Sequence, residues 1–177
     1  RSADYSEIAN YYRPGHADYT FDEKFGFRDY RGGGRSSGRE TIGRVAAGAI
    51  AMKILKELGI NITAYAKEIG GIGIDYDKFD IAERDNNAFN MPDKEAAEKV
   101  KAFAESKMSV GDSIGGVIEC RVTGMMTVIG NPTFEKLDAN LAKAIMSIGA
   151  GKGFEIGDGF EAAKVTGKYN NDEFVMK

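Results

Sequence analysis

The chain of 177 residues holds one cysteine, Cys120. An internal disulfide is therefore ruled out, a secreted disulfide scaffold with it, and a reduced, cytoplasmic setting fits best. No apolar run reaches membrane-spanning length, and residues 1–12 lack the apolar centre of a signal peptide, so a soluble protein with no membrane partner is expected. Neither sign of charge dominates, the net charge being −3. That balance supplies no general basic field to recruit nucleic acid, and any positive site has to be local. Tryptophan is absent, which excludes nothing because tyrosine and phenylalanine are plentiful. Two phosphate-binding fingerprints are missing as well. The run Gly149-Ala150-Gly151-Lys152-Gly153 follows a helical pattern and precedes an apparent strand, the reverse of a Walker loop, and glycine rather than Ser or Thr follows Lys152. The dinucleotide spacing GxGxxG in a strand-to-helix turn does not occur. No metal site is read from the sequence. The first residue is Arg rather than Met, and the last four, Phe174-Val175-Met176-Lys177, follow an apparent strand with no closing helix. A fragment truncated at both ends is expected.

What is present is arginine, concentrated in one place. Seven of the nine arginines (Arg1, Arg13, Arg28, Arg31, Arg35, Arg39, Arg44) fall in the first quarter, where Lys24 is the only lysine. Lysine serves solubility equally well, whereas the planar guanidinium fork grips phosphate or carboxylate from a fixed direction. Inside this region lies RGGGRSSGRET, in which Gly32, Gly33 and Gly34 free the backbone to approach a ligand and Arg35 and Arg39 bracket Ser36 and Ser37. Ser37 and Glu40 have capping-box spacing, so Ser37 is expected to cap a helix over 38–58 with Glu40 folded back on it. Gly59 suits the left-handed position that ends such a helix. A glycine-rich entry to a helix start gathers N–H groups, a partial positive charge and two guanidiniums, which points to an anion site, most simply for phosphate.

The remaining elements mix helix and strand without regular alternation. Arg13-Pro14-Gly15-His16 reads as a bend that presents the only histidine close to the anion loop, where a proton-transferring imidazole is chemically reasonable. Asp18 either orients that ring or caps the next turn. Tyr19, Phe21, Phe25, Phe27 and Tyr30 either flank a planar ligand or, the favoured reading, pack in the core. The small residues Gly43, Ala46, Ala47, Gly48 and Ala51 suggest close approach by another helix and a central place for the 38–58 helix, tolerating a propensity cost of about 1 kcal/mol per glycine. A strand is expected over 60–69, an exposed excursion over 75–90, and a surface helix from Pro92-Asp93 to about Lys107 with Ala96, Ala97, Val100, Phe103 and Ala104 as its apolar stripe. A further strand follows Gly111, in which Gly115 and Gly116 mark a bulge more readily than a close ligand approach. Helix 134–148 and a strand at 153–156 complete the order. The irregular mixture favours an α+β layered arrangement over a doubly wound parallel sheet.

RPGHADYTFDEKFGFRDYRGGGRSSGRETIGRVAAGAIA resembles the central signature of the chorismate synthase family, and GDSIGGVIE and FEKLDANLAKAIMSIGAGKGFEIGDGF resemble later blocks of it. On that resemblance, residues 1–177 are the central part of a single domain. The fold implied is a β-α-β sandwich with central helices between antiparallel sheets, here incomplete, assembling as a homotetramer. The activity implied is anti-1,4-elimination of phosphate from 5-enolpyruvylshikimate 3-phosphate to give chorismate, with reduced FMN and a flavin reductase or NADPH as electron source. His16 becomes the catalytic histidine near the flavin, Arg13 and Arg39 grip the substrate, and Arg35, Ser36, Ser37, Gly149 and Ala150 contact FMN. Gly149 replaces an asparagine often found there, which leaves only backbone contact. The alternative is a noncatalytic flavin- or phosphate-binding or assembly core, since part of the site lies outside the chain and the fragment alone is expected to be inactive. A third reading, RGGGR as a nucleic-acid motif, is weak beside an acidic balance.

Overall fold

The antiparallel pair formed by β1 (Asn61–Ile69) and β3 (Gly116–Thr123) carries the sheet of this computed structural model, which describes residues 5–176. The chain divides into two compact units, one running from Ile50 to Met125 and the other taking in the chain up to Ala49 and again from Met126.

In the Ile50–Met125 unit, a short hairpin joins β1 to β2 (Ile72–Gly73), and the strand order is β2-β1-β3. Pairing runs from Asn61 opposite Thr123 to Ile69 opposite Gly116, with one register shift between Ala66 and Glu68. The bulge thus falls on Lys67 of β1 rather than on Gly115 or Gly116. At Gly116 it is the paired strand that comes close: a Cβ there would stand 2.6 Å from the Glu68 carbonyl oxygen. Asp93 opens α3 (Lys94–Met108), its buried carboxylate accepting from the amides of Glu95 (2.9 Å), Ala96 (3.1 Å) and Asp75 (3.0 Å). Burial pushes that carboxyl up, but the three amide bonds prevail and hold it below the usual range. The expected stripe is the core: Ala96, Ala97 and Val100 pack with Ala66 and Met91, and Ile69, Ile72, Ile74 and Phe89 surround them.

The 75–90 excursion is exposed for most of its length yet ordered by short side chains. Asp75 and Asp80 accept from Asp77 and Ala82 amides two residues on, starting two 3-10 turns, Tyr76–Lys78 and Ile81–Asn86. Asn87 donates to the carbonyls of Glu83 and Met91 and accepts from the amides of Phe89 and Met91.

Tyr65 and Tyr76 both donate to the Glu119 carboxylate, the latter at 2.5 Å, and Arg121 Nε donates to it at 2.9 Å while its guanidinium lies over the rings of Tyr65, Tyr76 and Phe79. Burial pushes the Glu119 carboxyl up; the two phenols and Arg121 outweigh it and hold it at about 2. Its ordinary value is 4.5, so the folded state gains stability from this group at any pH above that value and loses it as pH falls toward 2. Denaturant titrations at stepped pH should show the wild type weakening across that window. Glu119→Gln should start weaker and stay flatter there.

Helix α2 (Thr41–Glu57) begins three residues later than the sequence suggests, after a 3-10 turn over Gly38–Glu40, and ends as expected at Gly59, in the left-handed region at φ 77°. The Ile60 amide reaches back to the Leu55 carbonyl at 2.9 Å, the bond of a Schellman ending. The expectation of a central, closely approached helix is not met. No residue of α2 is buried, Ile42 and Val45 being 78% and 72% exposed, and no atom stands within 4 Å of a Cβ placed at Gly43 or Gly48. Among the described residues, the surface these small side chains leave open is covered by nothing.

The other unit is built from α1 (Asp18–Phe25), the glycine loop, the first half of α2 and α4 (Leu137–Met146). The helix expected over 134–148 is shorter at both ends. The strands expected at 153–156 and near Phe174 do not form, since short alternating runs need a partner edge to pair with. Nor do the 19–30 aromatics make a core. Tyr19, Phe25 and Phe27 are exposed, with Tyr12–Tyr19 and Phe21–Phe25 meeting edge to face. Helices and an antiparallel sheet together make the chain mixed α+β, and no helix among the described residues is long and apolar enough to cross a membrane.

A candidate anion and imidazole site

Pro14 and Gly15 bend the chain so that the His16 amide meets the Arg13 carbonyl at 3.3 Å, and α1 starts two residues on with Asp18. Asp18 is 2% exposed and is the anchor of the region. Its carboxylate takes the Arg13 fork side-on, Nε at 2.8 Å on Oδ2 and Nη2 at 3.0 Å on Oδ1, and the Arg13 amide at 3.2 Å. Arg28 Nη1 lies 3.0 Å from Oδ2, and its Nη2 donates to the carbonyls of Ile8 (2.7 Å), Ala9 (3.1 Å) and Tyr11 (2.8 Å). The bonds from Arg13 above all, opposed by burial and aided by Arg28, hold the Asp18 carboxyl well below the usual carboxylate range. A buried carboxylate with two guanidiniums is a stable arrangement only as a complete set.

His16 leans on this anchor through Nδ1, which lies 3.0 Å from Asp18 Oδ1 and 3.3 Å from Arg13 Nη2. The ring's Cε1 lies against the glycine loop. Gly32, Gly33 and Gly34 hold φ of 122°, 87° and 49°, and a Cβ on Gly33 would stand 2.9 Å from Ser36 Oγ and 3.5 Å from His16 Cε1. Glycine is required there by conformation and by space alike. The loop is tied by Gly33 N–H to the Asp29 carbonyl (2.8 Å) and by Ser36 Oγ to the Gly33 carbonyl (2.7 Å).

Arg39 folds across the loop, donating from Nη2 to the Gly32 carbonyl (3.3 Å) and from Nε to Ser37 Oγ (3.1 Å). Ser37 caps the 3-10 turn by accepting the Arg39 amide at 3.2 Å. The capping box itself is not made. Glu40 turns instead to Arg35, Nη1 to Oε2 at 2.8 Å, because a guanidinium offers a carboxylate a stronger bond than a neutral amide does. Arg35 is 85% exposed, and its ion pair is open to exchange with another anion.

Of the residues expected at a site, His16 and Ser36 thus meet at Gly33, Arg13 touches His16 on the side of Asp18, and Arg39 and Ser37 meet at Gly32. Arg35 points to Glu40. Gly149 and Ala150 lie in the exposed turn after α4, Ala150 in the left-handed region at φ 66°. That turn is tied to α2 by Arg44, whose Nη2 donates to the Ser147 carbonyl at 2.8 Å and contacts its Oγ at 3.1 Å. Arg28 and Arg44 had no assigned role in the sequence beyond their place in the arginine cluster.

The fold and these side chains define a mixed α+β protein with an imidazole and guanidiniums close to a glycine-rich helix entry. The chorismate synthase family model matches residues 1–177, and the chain belongs to that family. It is similar to a chorismate synthase of Lachnospira eligens, 99% identical over 177 residues, which are all of this chain and 48% of the relative. It is also similar to one of Agathobacter rectalis, 62% identical over 99% of this chain and 48% of the relative. A crystal structure of a chorismate synthase superposes with a TM-score of 0.77 at 33% identity, over 89% of this chain and 51% of that one. The chain therefore spans about half the length of the curated relatives it matches.

Proposed function

We propose that this chain is the central part of a single chorismate synthase domain, within a lyase that eliminates phosphate from 5-enolpyruvylshikimate 3-phosphate to give chorismate in the shikimate route to aromatic amino acids. The observation that carries this reading is the seating of His16 against Gly33, in a loop crossed by Arg39. Phosphate and carboxylates need guanidiniums and hydroxyls, and a leaving phosphate needs a managed proton nearby.

The residues present fit a flavin phosphate. The loop's left-handed glycines let backbone approach closely, and Ser36, Ser37 and Arg35 supply donors beside them. Gly149 and Ala150 add backbone contact from the turn that Arg44 tethers. Reduced FMN, when bound, supplies the electron density that helps the phosphate depart. His16 holds or moves a proton, Arg39 binds the substrate's anionic groups, and Arg13 reaches the substrate only with the nitrogen its bond to Asp18 leaves over. A flavin reductase or NADPH as electron source, a homotetramer and a cytoplasmic setting belong to the same proposal, as does the layered β-α-β sandwich.

Arg39→Met in the full-length enzyme should raise the substrate KM about 10- to 100-fold, the loss of one charge-assisted contact. Steady-state chorismate formation measures it, and an unchanged KM would remove Arg39 from the site. The coverage of about half the relatives' length favours one second reading, a noncatalytic binding or assembly core for the chain by itself. Titrating the chain with reduced FMN and substrate decides: bound flavin without chorismate supports it, and chorismate formed by the chain alone refutes it.

A further inference from the structure

Three polar atoms meet beside the imidazole in a triangle: Arg13 Nη2 and His16 Nδ1 are 3.3 Å apart, Asp18 Oδ1 and His16 Nδ1 3.0 Å, and Arg13 Nη2 and Asp18 Oδ1 3.0 Å. The ring nitrogen thus has a donor on one side and an acceptor on the other. The two contacts differ in alignment. Arg13 Nη2 points an N–H at Nδ1 in hydrogen-bond geometry, whereas Asp18 Oδ1 lies close to Nδ1 only as a charge partner.

We infer that Arg13, fixed by the buried Asp18 carboxylate, is a positioning residue that keeps the hydrogen of neutral His16 on Nε2. A guanidinium has donors and no acceptor, so the nitrogen it addresses must offer a lone pair. In the neutral ring that leaves Nε2 as the N–H, turned away from the Arg13–Asp18 pair. When the ring takes a second proton, it enters at Nδ1 and is met by Asp18 Oδ1 without rotation of the ring. Nδ1 exchanges partners, and Nε2 keeps its hydrogen throughout. Arg28 completes the charge count, since its Nη1 lies on the far oxygen of Asp18 and prevents that carboxylate from turning wholly toward the ring. No other charged group of the described residues is in hydrogen-bond or ion-pair contact with His16.

The consequence for the proposed site is directional. Toward a bound anion the neutral imidazole is a hydrogen-bond donor, not a base. This deepens the reading of His16 given above and rests on it for its use, but the tautomer itself does not depend on flavin or substrate.

Nitrogen-15 spectra of full-length protein labelled at histidine, free of flavin and substrate, test the inference, with the His16 signals assigned by their loss in His16→Gln. At a pH where the ring is neutral, Nε2 is expected in the protonated range and Nδ1 in the unprotonated range. Arg13→Met is expected to reverse the two, because Nδ1 is then left facing Asp18 alone. A wild-type spectrum with the hydrogen on Nδ1 overturns the inference whether or not the variant folds, and so does a folded Arg13→Met protein whose hydrogen stays on Nε2. Chorismate formation left at the wild-type rate in Arg13→Met, although its tautomer reverses as expected, would instead count against the function proposed for the site.

Discussion

Full-length protein carrying His16→Ala is expected to form chorismate about a hundred- to ten-thousand-fold more slowly than the wild type, the range for losing a positioned proton donor. The fold should survive. The imidazole is not part of the hydrophobic core, its side chain being 27% exposed, and removing it leaves Asp18 with the bonds from Arg13 and the ion pair to Arg28. A cavity next to Gly33 is the only void created, and it opens toward a loop already in left-handed conformations. Turnover measured with excess reduced FMN, alongside an unchanged circular dichroism spectrum, checks both halves of the expectation. Wild-type turnover in the variant would remove the histidine from the chemistry.

The second large effect is on stability and comes from Asp18→Ala. This carboxylate is almost fully buried and pairs with two guanidiniums at once, and truncation leaves Arg13 without a carboxylate and Arg28 with only Asp22, Nε to Oδ2 at 3.5 Å. Breaking such a buried set costs about 3–5 kcal/mol. Arg28 also fastens the carbonyls of Ile8, Ala9 and Tyr11, so the damage should spread toward the 5–12 segment. Hydrogen exchange should show faster amide opening through α1 and that segment, while β1 and α3 keep their protection. Equal exchange in variant and wild type would mean that Asp18 holds nothing together.

Much of the Ile50–Met125 unit was legible because its determinants are local. Asp93 two residues before Glu95 is a helix start, and the Ala96–Val100 stripe has helical period. The β1 and β3 strands alternate, and Gly59 stops α2. The bulge was misplaced because a register shift belongs to a pair of strands, and nothing in β3 alone says that Lys67 is the extra residue. The expected strand at 153–156 failed for the same kind of reason. Aromatics between 19 and 30 had the composition of a core but not its periodicity: Tyr19, Phe25 and Phe27 lie on the surface, and Phe21 and Tyr30 are half-buried.

At the site, the sequence pointed to residues and not to their wiring. Arginine clustering and three glycines singled out the loop, and a lone histidine in a Pro-Gly bend singled out the imidazole proposed to work beside it. Which carboxylate each arginine would choose could not be read from spacing. Glu40 at capping-box distance from Ser37 prefers Arg35, and Arg13 spends its fork on Asp18, because charged pairs outbid neutral amides once the chain brings them within reach.

The exposed apolar residues of α2 set how the polypeptide will behave in the laboratory. Ile42, Val45, Ile50 and Ile54 are each more than half exposed, on a helix none of whose residues is buried. Purified by itself, such a chain is sticky: dilute solutions and mild detergent will keep it dispersed, and raising its concentration will drive it onto itself or onto column matrices before any question of catalysis arises.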